Sequence, residues 1–257
     1  MPNTSESSRT VSKIWSAEFK KLFPKVDFIV TSELYGDFVA EYMGIRHILF
    51  DMERLKVPIS ATKIRTSLFE NWDFLPDAVK QDYIFKVVIL GTESTGKSTL
   101  TQRLGDYFEM PTVMEAGRDI VEDSNDFVFE DLYKIIEEHT RRIQNVMNSL
   151  QPFIFIDTDW HITASYARQF FGKSLEIPDI YKGIHRAQLY LYSKKDAPYI
   201  QDGTRLTKVE RNKLDFSHRS ILTENNIILH ELSGSWEDRF EQAKNFILSK
   251  KKAYSLL

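Results

Sequence analysis

The sequence predicts an α/β fold in which a parallel β-sheet is covered by helices on both faces. Predicted strands alternate with predicted helices along most of the 257 residues, the order expected of a parallel sheet. The strand segments, such as residues 153–156 (Phe-Ile-Phe-Ile), are short and wholly apolar, which is typical of strands buried on both faces. A glycine-rich loop, residues 91–98, separates one such strand from a helix, and open α/β sheets bind ligands at such positions.

The first part of the chain contains a single predicted β-α-β unit. Its first twelve residues are mostly polar and are predicted to form a frayed end. Strands are predicted over 26–31 and 46–50, with a helix over 35–43 between them. A small polar cluster followed by a short helix is predicted over 59–69.

Residues 71–83 are predicted to connect two domains, because they lack a clean hydrophobic period and contain Pro76. The predicted domains are therefore residues 1–83 and residues 84–257. The alternating elements are better marked in the second domain. Strands are predicted there over 84–90, up to Val113, and over 153–156, 189–192 and 227–229, and helices over 97–108, 129–150 and 236–248.

The composition argues against several classes of protein. Apolar residues make up 42% of the chain and aromatic residues 13%, which is enough for an ordinary buried core. No cysteine is present, so disulfides and thiolate metal sites are impossible. The formal net charge of −3 and the lack of a lysine- and arginine-rich face argue against a nucleic-acid partner. Apolar runs are too short for a bilayer span, and we predict a cytoplasmic protein with no membrane partner.

Residues 91–98 satisfy the phosphate-loop pattern G-x-x-x-x-G-K-[S/T] in full. Glycines let the backbone curl so that N–H groups point at phosphate oxygens, and the helix that follows adds the positive end of its dipole. Lys97 is expected to reach the β- and γ-phosphates of ATP, and the Ser98 hydroxyl to ligate Mg²⁺. The predicted nucleotide-binding residues are Gly91, Thr92, Glu93, Ser94, Thr95, Gly96, Lys97, Ser98 and Thr99.

A triphosphate site also needs a carboxylate for the magnesium ion. Asp157 ends the apolar strand 153–156, where such an aspartate sits in phosphate-loop proteins. The ordinary alternative is a turn residue or a helix N-cap, roles that aspartate often takes. We predict that Asp157 shares the metal with Ser98.

A GTPase switch is the first alternative. Residues 212–215 (Asn-Lys-Leu-Asp) match the guanine-reading N-K-x-D pattern, but they follow a polar helical stretch and not an apolar strand. The D-x-x-G segment that GTPases place beside the γ-phosphate does not occur in the chain. We interpret N-K-L-D as a coincidence.

A small-molecule kinase needs an acceptor pocket and a cationic lid. Glu115 and Asp119 follow the second strand of the domain and are predicted to face the γ-phosphate, with Arg118 between them. Arg205 follows a polar, glycine-bearing stretch that could close as a lid over the transferring phosphoryl group. The predicted catalytic residues are Lys97, Glu115, Asp119, Asp157 and Arg205. For Arg205 an ordinary surface ion pair is about equally plausible.

Four segments together resemble the ribosylnicotinamide kinase domain of the bacterial NadR family, whose members fuse a nicotinamide-mononucleotide adenylyltransferase to that kinase. These segments are G-T-E-S-T-G-K-S-T, E-A-G-R-D, F-I-D-T-D and P-Y-I-Q-D-G-T-R, in the family's order. The similarity extends from about Val26 to the C-terminus. It implies a P-loop kinase domain with a parallel sheet, preceded by a partial Rossmann-like nucleotidyltransferase half domain.

The resemblance implies transfer of the ATP γ-phosphate to the 5′-hydroxyl of nicotinamide riboside. It further suggests that Glu115, Arg118, Asp119, Tyr133 and Asp159 face the nucleoside. The chain departs from the family where aromatic residues are expected around Glu115, since it has Met114 and Ala116 there. This departure bears on how the nicotinamide ring stacks and on the strict substrate.

Residues 59–65 (Ile-Ser-Ala-Thr-Lys-Ile-Arg) match the I-S-x-T-x-I-R signature of nucleotidyltransferases. Ser60, Thr62 and Arg65 could clamp a phosphate, although an ordinary N-capped helix has the same composition. The histidine pair that adenylyl transfer requires in this family does not occur, because no two of the six histidines are three residues apart. We therefore expect residues 1–83 to be the inactive back half of an adenylyltransferase domain.

The predicted function is a magnesium- and ATP-dependent ribosylnicotinamide kinase of NAD salvage. Two alternatives stay open: a kinase of another small nucleoside or related alcohol, and a regulatory protein that senses ATP without useful turnover. The exposed strand edges of a half domain would favour pairing with a second copy of the chain.

Overall fold

The computed structural model of the chain describes residues 8–121, 127–196 and 206–254. The chain divides into two compact units, Met1–Lys63 and Ile64–Leu257. The sequence predicted a domain boundary after residue 83, whereas the contacts divide the chain twenty residues earlier.

The first unit consists of a two-stranded parallel sheet and two principal helices. Strands β1 and β2 pair in register from Phe28 opposite Arg46 to Thr31 opposite Leu49. This confirms the predicted β-α-β unit, with strand ends that differ by one or two residues from the prediction. Its elements are α1 (Arg9–Leu22), β1 (Phe28–Thr31), α2 (Tyr35–Met43) and β2 (Arg46–Leu49).

Helix α1 corrects the prediction of a frayed end over the first twelve residues, because it begins at Arg9. The Ser8 side chain caps it by accepting a hydrogen bond from the Val11 N–H at 3.2 Å. The buried positions of the helix include Ser12 and Ser16, and the Ser16 hydroxyl donates to the Ser12 carbonyl at 2.6 Å. Val11, Ile14, Trp15 and Phe19 follow the helical spacing i, i+3, i+4 and i+8, so the sequence does carry a signal for this helix.

The second unit is an α/β domain with a five-stranded parallel sheet in the order β4-β5-β3-β6-β7. This confirms the predicted fold class. Helix α3 (Ala61–Thr66) spans the division between the units. The other helices are α4 (Asp77–Tyr83), α5 (Lys97–Phe108), α6 (Gly117–Ile120), α7 (Phe129–Met147), α8 (Trp160–Phe171), α9 (Asp179–His185), α10 (Lys208–Glu224) and α11 (Trp236–Tyr254). The strands are β3 (Phe85–Leu90), β4 (Thr112–Val113), β5 (Phe153–Asp157), β6 (Leu189–Ser193) and β7 (Leu229–Leu232).

The segment predicted as a connection is folded. A 3₁₀ helix, Phe69–Phe74, and helix α4 occupy it, and Pro76 is the N-cap of α4. Leu68, Phe69, Trp72 and Leu75 are buried in the core of the second unit, and the Trp72 indole N–H donates to the Leu150 carbonyl at 2.7 Å. The segment was missed because its apolar residues follow no single helical period.

The core of the second unit surrounds the central strand β3. All six of its residues are buried, as expected of a parallel strand with helices on both faces. None of the helices in the described residues combines the length and the apolar sequence that a membrane-spanning helix needs.

Candidate functional site

The phosphate loop, residues 91–98, follows the carboxyl end of β3 and runs into α5. Strand β3 lies between β5 and β6, while the chain passes from β3 to the outer strand β4 on one side and later crosses to β6 on the other. Open α/β sheets bind ligands where the strand order reverses in this way. The loop therefore lies at the ligand-binding position of the sheet.

Two glycines hold the loop in its shape. Gly91 has φ +142°, and a Cβ there would lie 2.6 Å from the Ser193 carbonyl oxygen of β6. Gly96 has φ +76° and would place a Cβ 1.8 Å from the Trp236 ring. Both the dihedral angles and the close neighbours require glycine at these positions.

The polar side chains of the loop turn inward. Lys97 is buried, and its Nζ donates to the Thr92 carbonyl at 3.1 Å. The Thr95 hydroxyl donates to the same carbonyl at 2.8 Å. The Thr92 and Ser193 hydroxyl oxygens are buried and make no hydrogen bond within the described part of the chain. Buried polar atoms normally have a partner, so these two hydroxyl groups are exceptions within the site.

The structure brings the two predicted metal ligands together. The Ser98 hydroxyl donates to Asp157 Oδ2 at 2.5 Å, and Asp157 is fully buried at the end of β5. Burial raises the pKa of Asp157, Lys97 opposes that shift, and Glu115 adds to it.

Ser98 and Asp157 fit a magnesium ion. The second carboxyl oxygen of Asp157, Oδ1, is buried and has no hydrogen-bond partner among the described residues. No group of three His, Asp or Glu side chains suited to a metal occurs in those residues. Magnesium is commonly held by one or two protein ligands together with substrate phosphates. The Ser98 hydroxyl and the Asp157 carboxylate would be those protein ligands.

The E-A-G-R-D segment, residues 115–119, forms the turn that leads into α6. Helix α6 contacts α7. Asp119 pairs with Arg142 of α7 at 2.6 Å, and Arg142 also donates to the Glu115 carbonyl at 3.3 Å. The half-buried Glu115 carboxylate makes no hydrogen bond or ion pair within the described residues, and Arg118 is exposed. Arg142 thus braces a turn that leaves Glu115 available. Sequence reasoning missed Arg142, whose position in the long helix carries no motif.

The other predicted nucleoside residues that the structure describes belong to α7 and to the N-cap of α8. Tyr133 is on α7, exposed, with its ring edge-on to Phe129 at 5.7 Å. Asp159 is buried as the N-cap of α8, and its oxygens accept from the His161 N–H at 3.0 Å and from His161 Nδ1 at 2.6 Å. Arg205 lies outside the described residues.

Glu93 links the loop to two further elements, a role that the motif alone does not predict. Its carboxylate accepts from the Tyr166 hydroxyl of α8 at 3.1 Å and from the Leu206 N–H at 3.2 Å. Its carbonyl accepts from Arg211 of α10 at 2.9 Å. The phosphate loop is thereby fixed to α8 and α10.

Arg239 and Trp236 support the loop from α11, and sequence reasoning missed both. The buried Arg239 guanidinium donates to the Thr95 carbonyl at 3.4 Å and to the Lys194 carbonyl at 3.0 Å, and it pairs with Asp196. Trp236 lies against Gly96 and is 54% exposed. These contacts join residues more than 40 positions apart in the sequence, so no local sequence pattern predicts them.

The N-K-L-D segment lies inside α10 and does not follow a strand. Asp215 accepts from the Tyr192 hydroxyl at 2.6 Å and lies 3.4 Å from Arg219. This structural role agrees with the interpretation of the motif as a coincidence.

The nucleotidyltransferase signature coincides with α3. The Ser60 hydroxyl accepts from the Lys63 N–H at 3.1 Å, which is the geometry of an ordinary N-cap. Thr62 and Arg65 are exposed on the same helix.

Comparisons with known proteins agree with this geometry. Residues 86–239 match a family described as AAA domain. The trifunctional NAD biosynthesis/regulator protein NadR of Escherichia coli K12 is 30% identical over 226 residues, covering 83% of this chain and 55% of that protein. The NadR protein of Salmonella typhimurium LT2 is also 30% identical, over 78% of this chain and 51% of its own length. The chain thus spans about half the length of the curated relatives it matches.

A solved structure of NadR in complex with NR has a TM-score of 0.67 at 21% identity, over 92% of this chain and 73% of that one. A NadR structure with NAD and AMP-PNP has a TM-score of 0.65 at 19% identity, over 98% and 76%. At these identities the likeness shows a shared fold. The family match and the 30% identity confirm the resemblance inferred from the sequence: the chain belongs to the AAA-domain family and is a homologue of the NadR proteins.

Proposed function

We propose that the chain is a kinase that transfers the γ-phosphoryl group of ATP to the 5′-hydroxyl of nicotinamide riboside. The observation that carries the proposal is the contact between Ser98 and Asp157, 2.5 Å apart at the start of α5. It places a hydroxyl and a buried carboxylate beside the phosphate loop, as phosphoryl transfer requires. The NR complex of a NadR protein supports nicotinamide riboside as the acceptor.

The proposed roles follow from the placement of the side chains. Lys97 and the loop hold the β- and γ-phosphates, and Ser98 and Asp157 hold Mg²⁺, which neutralises charge on the transferring group when bound. The acceptor oxygen bonds to the γ-phosphorus as the bond from that phosphorus to the leaving oxygen of ADP breaks. The acceptor proton passes to a carboxylate. We assign that carboxylate to Glu115, because Asp119 already pairs with Arg142. Arg205 is proposed as the lid cation.

An assay of ADP release with a panel of nucleosides tests the proposal. Nicotinamide riboside should stimulate ADP release well above the rate without acceptor. Stimulation by a different nucleoside alone would assign the chain to another nucleoside kinase. ATP binding with no stimulation by any acceptor would favour a regulatory protein that senses ATP. Either of these two results overturns the proposal.

We propose further that the first unit, Met1–Lys63, is related to the back half of an adenylyltransferase domain and that this chain does not transfer adenylyl groups. The parallel β1–β2 pair, the I-S-A-T-K-I-R segment and the missing histidine pair support this. Incubation with nicotinamide mononucleotide, ATP and magnesium should therefore yield no NAD. Formation of NAD and pyrophosphate at rates typical of enzymes would contradict the assignment.

A further inference from the structure

A second cleft lies beside the amino ends of β6 and β7 and the first residues of α8. Arg186, Gln188 and Ile228 line it just before strands β6 and β7 begin, whereas the phosphate loop follows the end of β3. The cleft has a volume of about 640 Å³. Sites for small molecules typically measure about 300–1,000 Å³, so this cleft can hold a metabolite.

The charged side chains lining the cleft are all cationic. Lys182, Arg186 and Lys250 contribute positive charge, and no carboxylate is among the described residues that line it. The Arg186 guanidinium and the Lys250 ammonium make no hydrogen bond or ion pair with the described residues. Lys182 pairs at 3.3 Å with Asp179, whose side chain is 98% exposed. The cleft therefore favours an anion.

The helix dipoles do not account for all of these cations. Helix α9 ends at His185, so Lys182 and Arg186 offset the partial negative charge of its last carbonyls. Lys250 belongs to α11, which continues to Tyr254 and has Lys251 and Lys252 in its last turn. Lys250 lies just before that last turn and adds positive charge to the cleft.

The inner wall of the cleft includes the side chain of a buried histidine, His161. His161 is 3% exposed and its Nδ1 is paired with Asp159 Oδ2 at 2.6 Å. Its Nε2 makes no hydrogen bond with the described residues. The Trp160 ring stacks on His161 at 3.8 Å and fixes its orientation. A fixed imidazole nitrogen with no partner is suited to the polar edge of a heterocyclic ring.

We propose that this cleft binds a mononucleotide, distinct from the ATP bound at the phosphate loop. Arg186 and Lys250 hold the phosphate group, and His161 Nε2 hydrogen-bonds to the base. The combination of separated cations, a fixed imidazole and a volume of about 640 Å³ exceeds what inorganic phosphate needs.

Equilibrium dialysis with labelled AMP tests the site on the full chain. Lys250→Glu reverses a charge inside the cleft, and Lys252→Glu makes the same change two residues along the same helix, outside it. The wild type and Lys252→Glu should bind one equivalent of AMP more than Lys250→Glu. Affinity at this site should fall about tenfold or more in Lys250→Glu, since a charge-assisted hydrogen bond is replaced by repulsion.

Lys97→Ala is a second control variant, because it weakens nucleotide binding at the phosphate loop. It should still bind the equivalent of AMP that belongs to the second cleft. Equal binding by Lys250→Glu and Lys252→Glu would overturn the proposal. Competition by inorganic phosphate as strong as that by AMP would overturn the assignment to a mononucleotide. Unchanged circular dichroism of both variants excludes misfolding as the cause of a lost equivalent.

Discussion

Asp157 has one carboxyl oxygen held by Ser98 at 2.5 Å and the other buried without a partner among the described residues. A carboxylate in this position is costly unless a cation meets it. Lys97 lies on the neighbouring turn and lowers the pKa that burial raises. The proposed metal site thus depends on three side chains that come from two elements.

Lys97→Ala and Asp157→Asn should each reduce acceptor-dependent ADP release by about 10²-fold or more, because each removes charge stabilisation of the transferring group. Steady-state kinetics measures the loss, and thermal melting checks the fold. Asp179→Asn, at an exposed position, is the control and should retain full activity. Wild-type activity of either site variant would refute the assignment.

A second pair of variants distinguishes the role of Glu115 from that of Asp119. Glu115→Gln should lower kcat by about 10²–10⁴-fold if Glu115 accepts the acceptor proton. Asp119→Asn breaks the 2.6 Å pair with Arg142 and should act more weakly, through the position of the turn. Initial rates at saturating ATP and acceptor distinguish the two. A larger loss of kcat for Asp119→Asn would reverse the roles.

Much of this site could be predicted residue by residue, because the phosphate loop is a local motif flanked by a strand and a helix. Asp157 was predictable from its place at the end of an apolar strand. Arg239 and Arg142 were not, since each acts on backbone carbonyls far away in the sequence. Contacts of that kind depend on the folded arrangement of helices around the sheet.

Among the elements, the 3₁₀ helix Phe69–Phe74 shows how a segment without periodicity can still be a core element. Phe69 packs against Phe153 at 4.5 Å, Phe85 at 6.1 Å and Tyr254 at 5.7 Å. These partners come from β5, β3 and α11. Aromatic contacts with residues that are distant in the sequence stabilise this element. A short sequence window does not include those partners, so it cannot predict the contacts.

Phe69→Ala should lower the free energy of unfolding by about 3–5 kcal/mol, the usual cost of removing a buried phenylalanine. Phe74→Ala, in the same 3₁₀ helix but at a position 46% exposed, should cost less than about 1 kcal/mol. Urea unfolding followed by circular dichroism measures both. Equal effects would show that the segment does not pack on the core.

At the scale of the whole molecule, the strand order places the end of β3 between β5 and β6 and so assembles the site. Alternating strands and helices predicted the parallel sheet, since that pattern has few other solutions. The order of the strands could not be predicted, because it depends on where each crossover helix packs.

Acid should destabilise the second unit. Burial lowers the pKa of both His185 and His218 to about 3, from an ordinary value of about 6.5. Between these values the unfolded chain binds more protons than the folded chain, so stability is complete above about pH 6.5 and falls as pH decreases. At pH 5 each histidine should cost about 2 kcal/mol. Urea unfolding at pH 7.5 and 5.0 measures this, and equal midpoints would contradict it.

The most direct test of the central claim is ³¹P NMR of a reaction containing the full chain, ATP, magnesium and nicotinamide riboside. The proposed function predicts a new phosphomonoester resonance, that of nicotinamide mononucleotide, growing in step with ADP and absent with Lys97→Ala. Release of inorganic phosphate alone, or no change in the ATP resonances, would contradict it.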